Sequence, residues 1–346
     1  MMKTLLAFLS LLSTAAFAQH ARLRPAEPIS LPGYSDSNSP SHWSNGIFNV
    51  FQSAGLPIIS QGTGQFARLK ARAVALDNHS HVPLWIEATW ADDDGTVYAW
   101  YHNEVRMCGG QLSIAKIGAL VSHDGGTYFE DLGIILESGY PYDCAAQNGY
   151  FAGGHGDFTV LLDATRQFFY FYFGNYSGPP SSQGVAAARM AFADRQDPVG
   201  RVWKYFRDGF REHGLRGRVT PLLPARAPWN AHNTDSFWGP SLHWNTFLNR
   251  YVMILNRSCC EPGWPSEGIY VSFSPDPGNP ELWTEPKKIL DRARSSWYPM
   301  VIGLEEGMTD KVAGETARFY LGSESNWEIV FSWQEALEEA SSVIVH

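Results

Sequence analysis

One arrangement recurs along this chain and limits what it can fold into. A run opens on polar and aromatic residues, continues as an apolar strand, turns, and returns as an aromatic strand that ends on polar groups. Asp235-Ser236-Phe237-Trp238-Gly239-Pro240-Ser241-Leu242-His243-Trp244 passes the turn at residues 245–249 into residues 250–255 and ends on Asn256 and Arg257. His155-Gly156-Asp157-Phe158-Thr159-Val160 turns at Asp163-Ala164-Thr165, returns through residues 168–173 and ends on Gly174-Asn175-Tyr176. Trp85-Ile86-Glu87-Ala88-Thr89-Trp90 turns at Asp92-Asp93-Asp94-Gly95 and ends on His102-Asn103-Glu104. Trp297-Tyr298-Pro299-Met300-Val301-Ile302 leads to residues 317–321. Units repeating every several tens of residues mark a propeller or a solenoid.

A second hairpin follows each of the first three pairs, as in Ser122-His123-Asp124-Gly125-Gly126-Thr127-Tyr128-Phe129. Asp and Ser bond their own turn backbone there, and Gly or Pro sets the required φ. Four strands per unit, at about 60 to 80 residues, fill the chain with about five units. The expectation is an all-β, five-bladed β-propeller of four-stranded antiparallel blades over residues 41–332. Aromatic residues at 14%, with 32 Gly and 21 Pro, agree with strands and tight turns. Residues 43–51 and 56–59 read as two strands of a first, incomplete blade. Residues 19–40, rich in Pro and Ser, read as a linker or an edge strand. Residues 333–346 read as a tail, with a short polar helix at 334–340.

Lys3, the apolar run at residues 5–12 and Ala16-Phe17-Ala18 before Gln19 read as a secretory signal over residues 1–18. That run is shorter than the ~20 residues a spanning helix needs, so the mature chain is expected to be a secreted or periplasmic monomer without membrane insertion. A formal net charge of -9 and the lack of a basic stripe argue against nucleic acid as a partner.

The stretch from Ser122 to Phe129 resembles the Asp-box turn of sialidase propellers. The Asp157-Phe158-Thr159-Val160 and Trp238-Gly239-Pro240-Ser241 openings resemble blade starts in five-bladed glycoside hydrolases of the arabinanase, xylosidase and invertase type. The resemblance covers residues 80–325. It implies a carboxylate pair on the inner strands acting on an oligo- or polysaccharide. In one place the chain departs from it: those families often set the general-acid Glu directly before the Gly-Pro pair, and Trp238 stands there. The nearest carboxylate is Asp235.

Strand direction sorts the candidates. Starts of first strands, ends of second strands and starts of third strands share one face of a propeller. That face collects carboxylates, imidazoles, aromatics and Arg; the other collects turn residues such as Asp93, Asp124, Asp163 and Asp276. Glycosidic cleavage needs a protonated carboxyl and a second carboxylate. Glu87, Asp157 and Asp235, from three different units, are the expected catalytic residues. His102, Glu104, His155, Trp238, Arg257, Glu267, Trp297 and Tyr298 are the expected substrate contacts, with His155 as apt to brace Asp157 as to touch substrate. No cofactor is expected, and no metal: Asp92-Asp93-Asp94-Gly95 lacks the spaced ligands of a calcium loop, and His79 and His81 lack a third ligand at zinc spacing. A non-catalytic carbohydrate-binding propeller is the alternative that Trp238 favours. A sialidase would need three arginines, and only Arg257 and Arg106 fall on the right face.

Cys108 and Cys144 fall on that same face in neighbouring units and are expected to pair. Cys259 and Cys260 are then left as a vicinal bridge beside Trp264 or as two free thiols.

Overall fold

The computed structural model describes residues 17–294 and 296–335. Among these the chain is strand and turn, with short 3-10 turns and no α-helix. Of the expected signal, residues 1–16 lie outside the described residues, as do residues 336–346 of the expected tail.

Strands pair antiparallel in five sets of four. The first holds Ser41–Ser44, Ile47–Ser53, Pro57–Gly62 and Lys70–Ala73. The second holds Leu84–Ala91, Val97–Met107, Leu112–Ser122 and Tyr128–Leu136. The third holds Phe151–Leu162, Phe168–Asn175, Gly184–Ala191 and Val202–Phe206, with Gly209–His213 added at its edge. The fourth holds Ser236–Asn245, Arg250–Ser258, Ser266–Ser274 and Lys287–Asp291. The fifth is Pro299–Gly303, Thr316–Leu321, Glu324–Glu335 and, from the other end of the chain, Phe17–Ser30.

The apolar clusters show how the sets are arranged. Phe51 and Ile59 of the first set share a cluster with Ile86 and Tyr101 of the second. Trp100 and Ile117 of the second meet Phe158 and Phe171 of the third. Tyr172 and Val185 of the third meet Leu242 and Met253 of the fourth. Val252 and Ile269 of the fourth meet Val301 and Phe319 of the fifth. Met300 and Tyr320 of the fifth meet Phe48 and Val50 of the first. Each set therefore buries both of its faces against its neighbours, and the series closes on itself: the fold is a β-propeller. Burial on both faces is why the inner strand Phe151–Leu162 is buried almost throughout rather than at alternate residues.

Two stretches differ from their sequence reading. Residues 43–51 are not one strand: Asn45 and Gly46 both take positive φ, 51° and 73°, and split the run into a hairpin. A two-residue Asn-Gly loop matches the twist of the strands it joins, and it makes the first set complete. Residues 17–30, the last two residues of the expected signal and the start of the stretch read as linker or edge strand, form the edge strand, paired with the last strand of the fifth set from Phe17–Glu335 to Ser30–Glu324. Gln334 belongs to that last strand rather than to a tail helix.

The Asp-box turn does structural work. Asp124 accepts from Ser122 Oγ at 2.8 Å, Thr127 N at 2.9 Å and Tyr128 N at 3.1 Å. Burial opposes its charge, but these hydrogen bonds outweigh burial and hold its carboxyl at about 2.

Cys108 and Cys144 form a disulfide that ties the second set to the third, 36 residues apart in sequence. Cross-linking a loop of that length stabilises a fold by about 3 to 4 kcal/mol in the chain-entropy model. Replacing both residues by Ser should lower unfolding stability by that order in denaturant titrations. A change below ~1 kcal/mol would mean that these loops are held by other contacts.

Candidate active site

The inner strands of the second, third and fourth sets each carry a register break at the same level. The breaks fall between Ile86 and Ala88, between Gly156 and Phe158, and between Trp238 and Ser241. A bulge turns a side chain out of the regular alternation, and bulges gather next to active sites. Here two of them present Glu87 and Asp157. Asp157 sits at φ 44° and Tyr298 at φ 59°, a region non-glycine residues seldom occupy. Gly156 admits the close approach: a Cβ there would lie 2.6 Å from His102 Cε1.

Glu87 and Asp157 are buried. Glu87 Oε2 accepts from Phe158 N at 2.7 Å, and Oε1 lies 3.3 Å from His102 Nδ1. Asp157 is held by two phenols: Tyr176 donates to Oδ2, and Tyr298 to Oδ1 at 3.3 Å. Burial pushes the Asp157 carboxyl up; His102 opposes this and Glu87 adds to it, leaving it at about 7. Burial also raises Glu87 against the hydrogen bond and charge of His102. Burial works against the charged form of His102, yet the hydrogen bond and charge of Glu87, with Asp157 and Glu104 behind it, lift it to about 9. Around neutral pH the cluster is therefore an imidazolium between carboxyl groups, one of which holds a proton for much of the time.

A third carboxyl joins them that the sequence reading did not select. Asp36, half-buried, comes from the loop after the edge strand. Its backbone N–H bonds Ser53 O at 2.8 Å. Burial and the charge of Glu104 raise its carboxyl, while His102 and a hydrogen bond from Tyr298 lower it. Asp36, Trp297 and Tyr298 line a cavity of about 440 Å³ that also includes the exposed Tyr34. Asp36 lies in a Ser- and Pro-rich stretch with no strand pattern of its own, and its only sequence signal was its place just before the first inner strand.

The other expected residues divide. Glu104 is 4.0 Å from His102 Nε2, at the edge of the cluster. Asp235 makes its contacts elsewhere: Arg257 grips it with two hydrogen bonds of 2.9 and 3.0 Å, and Arg257 also reaches Tyr270 and Glu267. His155 points away, with Nε2 3.1 Å from Lys204 Nζ, and packs on Phe173. Trp238 is buried; its Nε1 donates to Ser258 Oγ at 2.9 Å, and its ring meets Trp264, Trp297 and Tyr298. Cys259 and Cys260 are bridged across a cis peptide in the loop that leads to Trp264. Trp264 packs against Phe151 and Tyr176, which stack 4.6 Å apart, so aromatic rings enclose the carboxyl cluster on that side.

Glu87, His102 and Asp157 offer ligand atoms within 4.8 Å of one another, a spacing a cation could bridge. Both carboxyls already accept hydrogen bonds from protein donors. What the arrangement does without further groups is hold a proton within a buried cluster in which atoms of Glu87, His102 and Asp157 lie within 4.8 Å of one another.

The cluster makes stability depend on pH. Folded Asp157 binds a proton up to about 7 and His102 up to about 9, against 3.8 and 6.5 as free groups. Between each pair of values the folded state holds more protons than the unfolded one, so stability falls as pH rises. Asp157→Asn should flatten the part of that fall between about pH 4 and 7. Calorimetric Tm profiles of wild type and variant check this; parallel profiles would show that Asp157 titrates normally.

No family model matches the sequence, and no curated protein matches it. Solved structures do share its fold. A protein described as an exo-beta-1,3-galactanase from Bifidobacterium bifidum s17 superposes with a TM-score of 0.52 at 13% identity, over 89% of this chain and 92% of that one. An endo-arabinase from Bacteroides thetaiotaomicron VPI-5482 gives a TM-score of 0.50 at 10% identity, over 89% and 96%. At such identities the likeness concerns the fold alone.

Proposed function

We propose that the protein is an exported glycoside hydrolase acting on an oligo- or polysaccharide, with Asp157 as general acid and Asp36 as the second carboxylate. One observation carries the reading. A buried carboxyl lifted to about 7 accepts from the Tyr298 hydroxyl, and Tyr298 lines an open cavity together with the half-buried Asp36. Cleavage needs a carboxyl pair, one protonated at the leaving oxygen and one ionised to activate water or attack. Glu87 serves as the neighbouring charge that keeps the proton on Asp157, and the Asp235–Arg257 pair as a fixed group that can hold sugar hydroxyls. The similar folds belong to proteins described as acting on galactan and arabinan, so these polymers are the first substrates to try. The chain would work outside the cytoplasm, as its signal-like residues 1–18 favour.

A second reading has its own observation. Trp238, at the place where related folds often carry the acid, is buried and locked to Ser258. That favours a propeller that binds sugar without cleaving it.

Hydrolysis of arabinan, galactan and aryl glycosides separates the two. Wild type should release reducing ends, and Asp157→Asn and Asp36→Asn should each lower kcat by about 10²- to 10⁴-fold, the range for loss of a general acid or base. Activity should fall as pH rises through about 7, where Asp157 loses its proton. Binding of a polymer by wild type with no cleavage of any substrate would establish the second reading instead.

A further inference from the structure

The same inner strands that present the carboxyls run on to the opposite face, where a second cavity of about 400 Å³ opens. Residues of all five sets or of the loops beside them line it, with the rings of Trp43, Trp90, Trp100, Trp244 and Phe169 as walls. A polar layer floors it. His42 Nδ1 lies 3.2 Å from Thr89 Oγ1, and Lys311 Nζ donates to Thr159 Oγ1 at 3.0 Å. Closer to the carboxyls, Asn38 Nδ2 bonds Phe158 O and Pro240 O, both at 3.1 Å, so the third and fourth inner strands are joined between the two sites.

The charges around this cavity are already matched. Lys311 pairs with Asp310 at 3.0 Å. Arg166 at the mouth faces Asp93 at 3.5 Å and lies over the Trp90 ring. Asp163 accepts from Gln167 N and Phe168 N of its own turn. An ionic ligand would find no uncompensated partner here. A neutral ligand with an apolar face and several hydroxyls would find aromatic walls for the first and hydroxyl, imidazole and charged groups for the second. Pockets of this size with a mostly apolar lining that includes several aromatic rings, and a few convergent polar groups, are the usual form of a small-molecule site. Tryptophan supplies the large flat apolar surface.

We propose that this cavity is a second binding site, for a neutral sugar unit, on the face opposite the carboxyls. It is separate from the carboxyl site and stands whether or not that site cleaves. Its physical use would be avidity: a polymer held at one face raises the local concentration of its neighbouring segments at the other.

Ala164 is exposed in the turn at the cavity mouth, so Ala164→Trp can fill the opening without removing a core side chain. The measurement is saturation-transfer NMR on wild type and Ala164→Trp with methyl galactopyranoside, methyl arabinofuranoside and methyl glucopyranoside, and with phenol as a flat apolar probe. At least one glycoside should bind wild type and lose tenfold or more in affinity in the variant, with melting unchanged. Arg166→Ala, at the same turn, should weaken the same glycoside several-fold and serves if the first variant does not fold. The proposal is overturned if no glycoside binds, if the signals persist in both variants, or if phenol alone binds. Hydrolysis assays of Ala164→Trp on a soluble aryl glycoside test the other face: unchanged turnover is expected, and loss of turnover together with binding would mean one continuous site and overturn the separation.

Discussion

Closure of the ring is the constraint on which everything else in this molecule depends. A propeller set is apolar on both faces and cannot stand alone, so the first and last sets must meet. They do so through Met300 and Tyr320 against Phe48 and Val50. The last set has only three strands from its own end of the chain, and the strand Phe17–Ser30 supplies the fourth. Without that strand, Glu324–Glu335 would be a long open edge with a row of unpaired backbone groups, the kind of edge folded proteins cover or interrupt.

The segment that completes the ring also reaches the axis. Beyond Ser30 the chain is tied to Ser323 O through Leu31 N, and to the first set through Asp36 N and Pro40 O. Asn38 then bonds the third and fourth inner strands at the axis. Asp36 lies between these ties. Its place beside Tyr298 is a consequence of closing the ring, so an open ring would lack one carboxyl of the cluster. Burial supplies the chemistry. Glu87 and Asp157 are costly to ionise side by side, and the cost is met in two ways: by the His102 proton and by hydrogen bonds from Tyr176, Tyr298 and the Phe158 backbone.

What could be read from the sequence follows from what is local. The hairpin grammar is local, since turn residues and apolar runs sit within ten or so residues of each other, and it yielded the class and the second, third and fourth sets. Glu87 and Asp157 were legible because strand direction places the starts of inner strands together. Asp235 starts its strand in the same way, but its neighbour in space is Arg257, 22 positions on, and a salt bridge between strand ends has no signature in either segment. The bulges that turn Glu87 and Asp157 inward were equally hidden, as they depend on pairing with the adjacent strand. The Asn45-Gly46 turn is a local signal of the same kind as the other hairpin turns, a two-residue loop. Asp36 was not legible: its position is set by a pairing between residues some three hundred apart.

Trp238 and Asp36 bear on one question, which parts of the chain can bring a carboxyl toward the axis of this propeller. The three inner-strand bulges give three places from which a side chain can enter the axis. In this chain two are carboxyls and the third is Gly239-Pro240, preceded by an indole that turns away to Ser258. Gly239, at φ 53°, has no room for a side chain: a Cβ would meet Asn256 Nδ2 at 2.6 Å. Asn256 Oδ1 in turn accepts from the backbone N–H of Tyr298 at 3.2 Å, on the residue whose hydroxyl touches Asp157. So the fourth set contributes backbone and an amide that fix Tyr298, while the loop after the ring-closing strand contributes the further carboxyl. A single axis can be furnished from different sets, because only the distance of a group from the axis, and not its place in the chain, decides whether it can take part.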